Sequence, residues 1–149
     1  MKSLYSLVLM FFLAACSGNS VNDENCRFLL DVGVNIDINL SLPAYQILNS
    51  SGNSVYIPNV GNGGIILAKV GFDFFAWDAT DPNHPQSECS LLVDLNDIKP
   101  NYGLSAKCQC EDENEYSFVN GLPLKNSELR CPLRNYRTQV SGNTLLIFN

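Results

Sequence analysis

Between positions 34 and 40, apolar Val34, Ile36, Ile38 and Leu40 alternate with polar Asn35, Asp37 and Asn39. A period of two sustained over seven residues predicts a strand with one face buried. Val55-Tyr56-Ile57 is a second short strand, closed by Pro58. The Gly61-Asn62-Gly63-Gly64 turn feeds the apolar run 65–70, and Gly71 separates that run from Phe72-Asp73-Phe74-Phe75-Ala76-Trp77. Two strands joined by so short a glycine turn read as a hairpin. The segments 134–140 and 144–148 flank Ser141-Gly142-Asn143 and predict a closing hairpin. Helical spacing is sustained in no window. A single helical turn is expected at 42–48, with Pro43 near its start. Many short strands punctuated by glycine turns predict an all-β sandwich or barrel.

Composition narrows the functional classes. A hydrophobic content of 46%, with six Tyr, eight Phe and one Trp, excludes a disordered chain. A length of 149 residues suits one core rather than two. A net charge of −6 with only four Arg is wrong for a phosphate backbone, so no nucleic-acid partner is expected. The sole histidine, His84, stands beside Pro85 and supports no Ser-His-Asp arrangement. No carboxylate spacing singles out a glycosidase pair, and no enzymatic activity is expected. The acidic run 111–115 lacks the spaced loop of a calcium motif and reads as solvated. Arg130, Arg134 and Arg137 read as an exposed strand face. Alternation would bury at least half of Phe72, Phe74, Phe75 and Trp77, so this aromatic group reads as core rather than a sugar platform.

The amino terminus suggests an address. Met1-Lys2 precedes an apolar stretch too short to span a bilayer but suited to a secretory signal. It ends in Leu13-Ala14-Ala15-Cys16, which resembles a bacterial lipobox. That resemblance implies cleavage before Cys16 and its lipidation, the alternative being an ordinary signal with a coincidental cysteine. The expected organisation is a signal at 1–15, a polar tether at 16–26 and a β domain at 27–149. The expected location is exported and lipid-anchored, with Ser17 resembling outer-membrane sorting. The membrane, through Cys16, and an unidentified envelope protein are then the expected partners.

With Cys16 set aside, Cys26, Cys89, Cys108, Cys110 and Cys131 remain. Five is odd, so at least one is free, metal-bound or intermolecular. Cys108-Gln109-Cys110 is too tight for a comfortable bond within itself, so each sulfur is expected to look elsewhere. Pairing Cys26 with Cys131 would close a loop of about a hundred residues and remove roughly 4–5 kcal/mol of unfolded-chain entropy.

Positions 79–124 are the most distinctive. Phe75-Ala76-Trp77-Asp78-Ala79 leads into Asp81-Pro82-Asn83-His84-Pro85. Ala106-Lys107-Cys108-Gln109-Cys110-Glu111 follows, then Tyr116-Ser117-Phe118, Gly121 and Pro132-Leu133-Arg134-Asn135-Tyr136-Arg137. This order resembles the Rieske iron–sulfur family. The resemblance implies an all-β, antiparallel sandwich or barrel with a small loop-rich subdomain at about 79–124, of the kind that binds a [2Fe-2S] cluster. Carried over residue by residue, the four ligand positions fall on Asp81, Asn83, Cys108 and Glu111. A Rieske centre needs two thiolates and two imidazoles. Only Cys108 matches, and a chain with one histidine cannot supply two imidazoles, so no conventional cluster and no cofactor are expected.

The resemblance also implies a disulfide bracing the two loops, at Cys89 and Cys110, which leaves Cys108 free. Pairing Cys89 with Cys108 is an alternative, and so is a tetrahedral zinc site of His84, Cys89, Cys108 and Cys110. The functional expectation is a cluster-free Rieske-like lipoprotein acting as a structural or interaction module of the cell envelope. The alternative is a Rieske-type, ferredoxin-like electron-transfer protein using an atypical metal or dithiol centre.

Overall fold

A computed structural model describes residues 26–126 and 128–149. The expected signal, Cys16 and the tether up to position 25 lie outside the described residues.

Among the described residues, eight strands form: β1 (Asn35–Asn39), β2 (Asn53–Ile57), β3 (Ile65–Val70), β4 (Asp73–Asp78), β5 (Ser105–Lys107), β6 (Glu115–Ser117), β7 (Asn135–Ser141) and β8 (Thr144–Phe148). Six of them make one antiparallel sheet in the order β1-β8-β7-β4-β3-β2, curled into a half-barrel, and β5 pairs with β6 in a separate hairpin. The all-β expectation holds, and the arrangement is consistent with a Rieske-like sandwich.

The curl gives the sheet two buried faces at its centre. From β3, Ile65 and Leu67 point into one core with Val55, Ile57, Ala76, Tyr136, Leu145 and Ile147. Ile66 and Ala68 point the other way, into a second core with Trp77, Leu92, Tyr116, Phe118 and Leu133. Strand side chains alternate between faces, so a strand covered on both sides must be apolar throughout. This explains why β3 reads as an unbroken apolar run while β1, at the sheet edge, alternates. In β1, Ile38 is buried, as is Val34 just before it, and Asn35, Asp37 and Asn39 are exposed. Each fully buried Leu or Ile contributes about 1.5–3 kcal/mol.

The second core attaches the loop-rich region to the sheet. Trp77 Nε1 donates to the Phe118 carbonyl at 2.8 Å. Gly121 makes that approach feasible: its φ is +74°, and a Cβ there would lie 2.5 Å from the Trp77 ring. At the end of β4, Asp78 accepts from Tyr136 Oη at 2.7 Å and from the Asn62 backbone N–H at 2.8 Å, and so fixes the glycine-rich turn before β3.

Sequence and structure differ locally. The helical turn expected at 42–48 is a 3₁₀ segment, Pro43–Asn49. Phe72 lies in the β3–β4 turn and is 97% exposed, so β4 starts at Asp73. Strands β5 and β6 were not anticipated, because three residues each are too few to display a period.

Candidate functional site

Two loops meet over the outer face of the sheet. The first runs from the end of β4 through Ala79, Asp81, Asn83 and His84 to the turn Glu88–Ser90. Backbone pairing holds it in place, with Asp81 N–H donating to the Ser90 carbonyl at 2.7 Å and Leu92 N–H to the Ala79 carbonyl at 2.7 Å. The second is the β5–β6 loop, in which Cys108 N–H donates to the Asn114 carbonyl at 2.8 Å. Gln109 N–H reaches the Leu91 carbonyl at 3.0 Å and ties the two loops together.

A Cys89–Cys110 disulfide joins them covalently, with Cys89 exposed and Cys110 buried. Cys108 is the free cysteine among the described residues; it is 2% exposed, and its Sγ donates to the Cys89 carbonyl at 3.3 Å. Burial pushes its thiol up to about 12 from an ordinary 9.0, with the Asp81 carboxyl adding to the effect against an opposing backbone hydrogen bond from Cys110. Cys26 and Cys131 are bonded to each other, which ties the start of the described chain to the far side of the first loop.

At the centre, the Asp81 carboxyl is fully buried. It accepts from Tyr116 Oη at 2.5 Å, from the Asn83 backbone N–H at 2.8 Å and from Asn114 Nδ2 at 3.0 Å. Burial, then the Asp81 contact, drives the Tyr116 hydroxyl far above the usual phenol range, so it keeps the proton it donates. Asn83 spends its whole side chain on structure. Its Nδ2 donates to Tyr116 Oη and to the Cys131 carbonyl, both at 2.8 Å, and its Oδ1 accepts from Cys131 N–H at 3.1 Å. On the solvent side, His84 Nε2 lies 2.6 Å from Asp112 Oδ2 and 4.0 Å from Asp81 Oδ2. Asn114 Nδ2 also donates to Asp112 Oδ2 at 2.6 Å, linking the outer pair to the buried network.

The structure therefore brings three of the four ligand-position residues, Asp81, Asn83 and Cys108, into one corner. Glu111, the fourth, is exposed, and it is its neighbour Asp112, also exposed, that bonds His84 and Asn114. The zinc set weighed from the sequence does not assemble, because Cys89 and Cys110 are spent on each other. The trio that converges is His84, Cys110 and Asp112, whose ligand atoms lie within 4.8 Å of one another. Asp112, Asn114 and Tyr116 were missed as site residues. Asp112 lies in the acidic run read as solvated, and only loop closure across 28 positions places it at His84.

These residues do not fit a Rieske [2Fe-2S] group. Hydrogen bonds saturate Asp81 and Asn83, the second imidazole is missing from the sequence, and one buried thiol stands where two thiolates are required.

The buried thiol makes a testable prediction. At pH 8, iodoacetamide should alkylate native Cys108 about 10³-fold more slowly than in the urea-unfolded chain, because the thiolate fraction differs by that factor. Mass spectrometry of the Cys108 peptide reads the rate. The sign of the stability effect follows from the same shift. A thiol whose folded pKa is raised contributes stability that is whole below pH 9 and is lost as pH climbs toward 12.

No protein-family model and no curated protein matches the sequence. Among solved structures, the chain is similar to one from the complex of reduced oxygenase and oxidized ferredoxin in carbazole 1,9a-dioxygenase, at 16% identity and a TM-score of 0.46. That match covers 80% of this chain and 94% of the other. A second is the ferredoxin of carbazole 1,9a-dioxygenase from Nocardioides aromaticivorans IC177, at 15% identity and a TM-score of 0.43, covering 66% of this chain and 86% of that one.

Two expectations are corrected by these findings. The structures found are a dioxygenase ferredoxin and an oxygenase–ferredoxin complex, and neither points to an unidentified envelope protein as partner. The lipid-anchored outer-membrane location is withdrawn on the same comparison. Among the described residues, no helix is long and apolar enough to cross a membrane.

Proposed function

We propose that this chain is a ferredoxin-like electron-transfer domain of Rieske type whose redox centre is the Cys89–Cys110 disulfide in place of an iron–sulfur cluster. One observation carries the reading: a disulfide between the exposed residue Cys89 and buried Cys110 joins the two loops at the corner where the resembled family holds its cluster. A disulfide at the protein surface exchanges electrons by attack of an external thiolate. Reduction breaks the S–S bond and takes two electrons and two protons from a dithiol, which becomes a disulfide.

Cys108 stays out of this exchange. With its thiol near 12, about one part in 10⁵ is thiolate at pH 7, so internal reshuffling with its neighbours is suppressed. The buried Asp81–Tyr116–Asn83 network holds both loops in place whether or not the sulfurs are joined. The partner such a domain requires is a protein that gives or takes reducing equivalents.

Equilibration with glutathione and dithiothreitol redox buffers, read by thiol alkylation and mass spectrometry, tests the proposal. The expected result is a reversible two-electron couple at Cys89 and Cys110, at a potential above about −300 mV, with the far-ultraviolet circular dichroism unchanged. A bond that stays oxidised below that potential, or a fold lost on reduction, would identify a structural brace instead.

A further inference from the structure

The geometry points to a zinc site that opening the Cys89–Cys110 disulfide creates, built from His84, Asp112 and Cys110, with Cys89 as fourth ligand. It rests on the reading of that disulfide as reducible, and extends it to a ligand. Zinc takes imidazole, carboxylate and thiolate ligands in tetrahedral array. Bond lengths of about 2.0–2.3 Å put such ligand atoms roughly 3.3–3.8 Å apart. In the disulfide form, a ring nitrogen of His84, Cys110 Sγ and a carboxylate oxygen of Asp112 already lie within 4.8 Å of one another, so the three need to shift by about an ångström. Only the bonded sulfur lacks donor capacity.

The surroundings suit a cation. Asn114 Nδ2 donates to Asp112 Oδ2 at 2.6 Å, and the Asp81 carboxyl stands 4.0 Å from His84 Nε2. A hydrogen bond from a neighbouring amide orients a metal-binding carboxylate. His84 and Asp112 are in direct contact, so zinc would replace one hydrogen bond with two metal bonds.

The steps balance. A dithiol forms its own S–S bond, the Cys89–Cys110 bond breaks, and each cysteine gains one electron and one proton. Zinc then displaces the thiol protons of Cys110 and Cys89 to solvent. The protein would thus be metal-free when oxidised and zinc-loaded when reduced.

The test uses the full chain carrying Cys16→Ser, so that the thiol at position 16 plays no part. In this background Cys89→Ser frees Cys110 without any reductant. Zinc is titrated against a chromophoric chelator, and cobalt is used as a spectroscopic probe. The Cys89→Ser chain should bind one zinc and show a cobalt–thiolate charge-transfer band, whereas the disulfide form should show neither. Adding His84→Ala or Asp112→Ala should weaken zinc binding at least about tenfold, and Cys108→Ser should leave it unchanged. A Cys89→Ser chain that binds no more zinc than the disulfide form overturns the inference, as does loss of binding in Cys108→Ser alone. Resistance of the wild-type bond to reduction overturns the redox reading, and the Cys89→Ser measurement separates that failure from failure of the site itself.

Discussion

Replacing both Cys26 and Cys131 by serine should lower the unfolding free energy by about 4–5 kcal/mol, the cost expected for opening a loop of about a hundred residues. The two cysteines are 105 positions apart, so nearly the whole described chain is enclosed by their bond. In the oxidised protein the unfolded ensemble is confined to a ring; in the variant it is released, and folding must close that distance unaided. The folded state loses little by comparison, because Cys131 keeps its backbone bonds to Asn83. Urea unfolding followed by tryptophan fluorescence measures the change, since Trp77 is the only tryptophan and lies between the sheet and the loop region. With a urea slope of about 1–3 kcal/mol/M, the midpoint should fall by roughly 1–5 M. A change below about 1 kcal/mol would show that the unfolded chain is already compact without the cross-link.

Asp81→Ala should cost about 3–5 kcal/mol, the scale of leaving several buried donors without their acceptor. Three donors converge on that carboxyl: Tyr116 Oη, Asn83 N–H and Asn114 Nδ2. Alanine leaves all three facing a cavity that water reaches poorly, and each unsatisfied buried group costs about 1–3 kcal/mol. Asp81→Asn preserves the shape and one acceptor oxygen, and should recover roughly half of the loss. Thermal unfolding of the two variants beside the wild type decides the matter. Equal stability of Asp81→Ala and wild type would show that the network is dispensable.

The two variants probe different layers of the same corner. Cys26–Cys131 sets how far the chain can stray when unfolded, whereas Asp81 sets how the two loops meet when folded. Tyr116 connects them: its hydroxyl receives Asn83 Nδ2, and Asn83 in turn receives Cys131 N–H. Residues in one network do not act additively, so a combined variant should lose less than the sum of the two.

Much of the sheet could be read along the chain. The alternation at β1, the glycine turn before β3 and the closing β7–β8 hairpin are local patterns, and local patterns survive without knowledge of neighbours. The inventory of chemistry was equally readable: one histidine excludes a two-imidazole iron site whatever the fold. Three-residue strands such as β5 and β6 carry no period and were invisible. Asp112 was missed for a related reason, since an acidic run reads as solvated until another loop closes on one of its members.

Sequence alone settled composition, strand pattern and the shortfall of cluster ligands, because each is a property of residues taken singly or with near neighbours. Which sulfurs pair, the burial of Asp81 against Tyr116 and the meeting of His84 with Asp112 came from the folded arrangement. Those contacts join positions 21 to 105 apart, and a contact at that range is fixed by how the sheet curls and where the loops land on it. The side chains supply the chemistry, and the closed loops supply the ångström distances at which it can act.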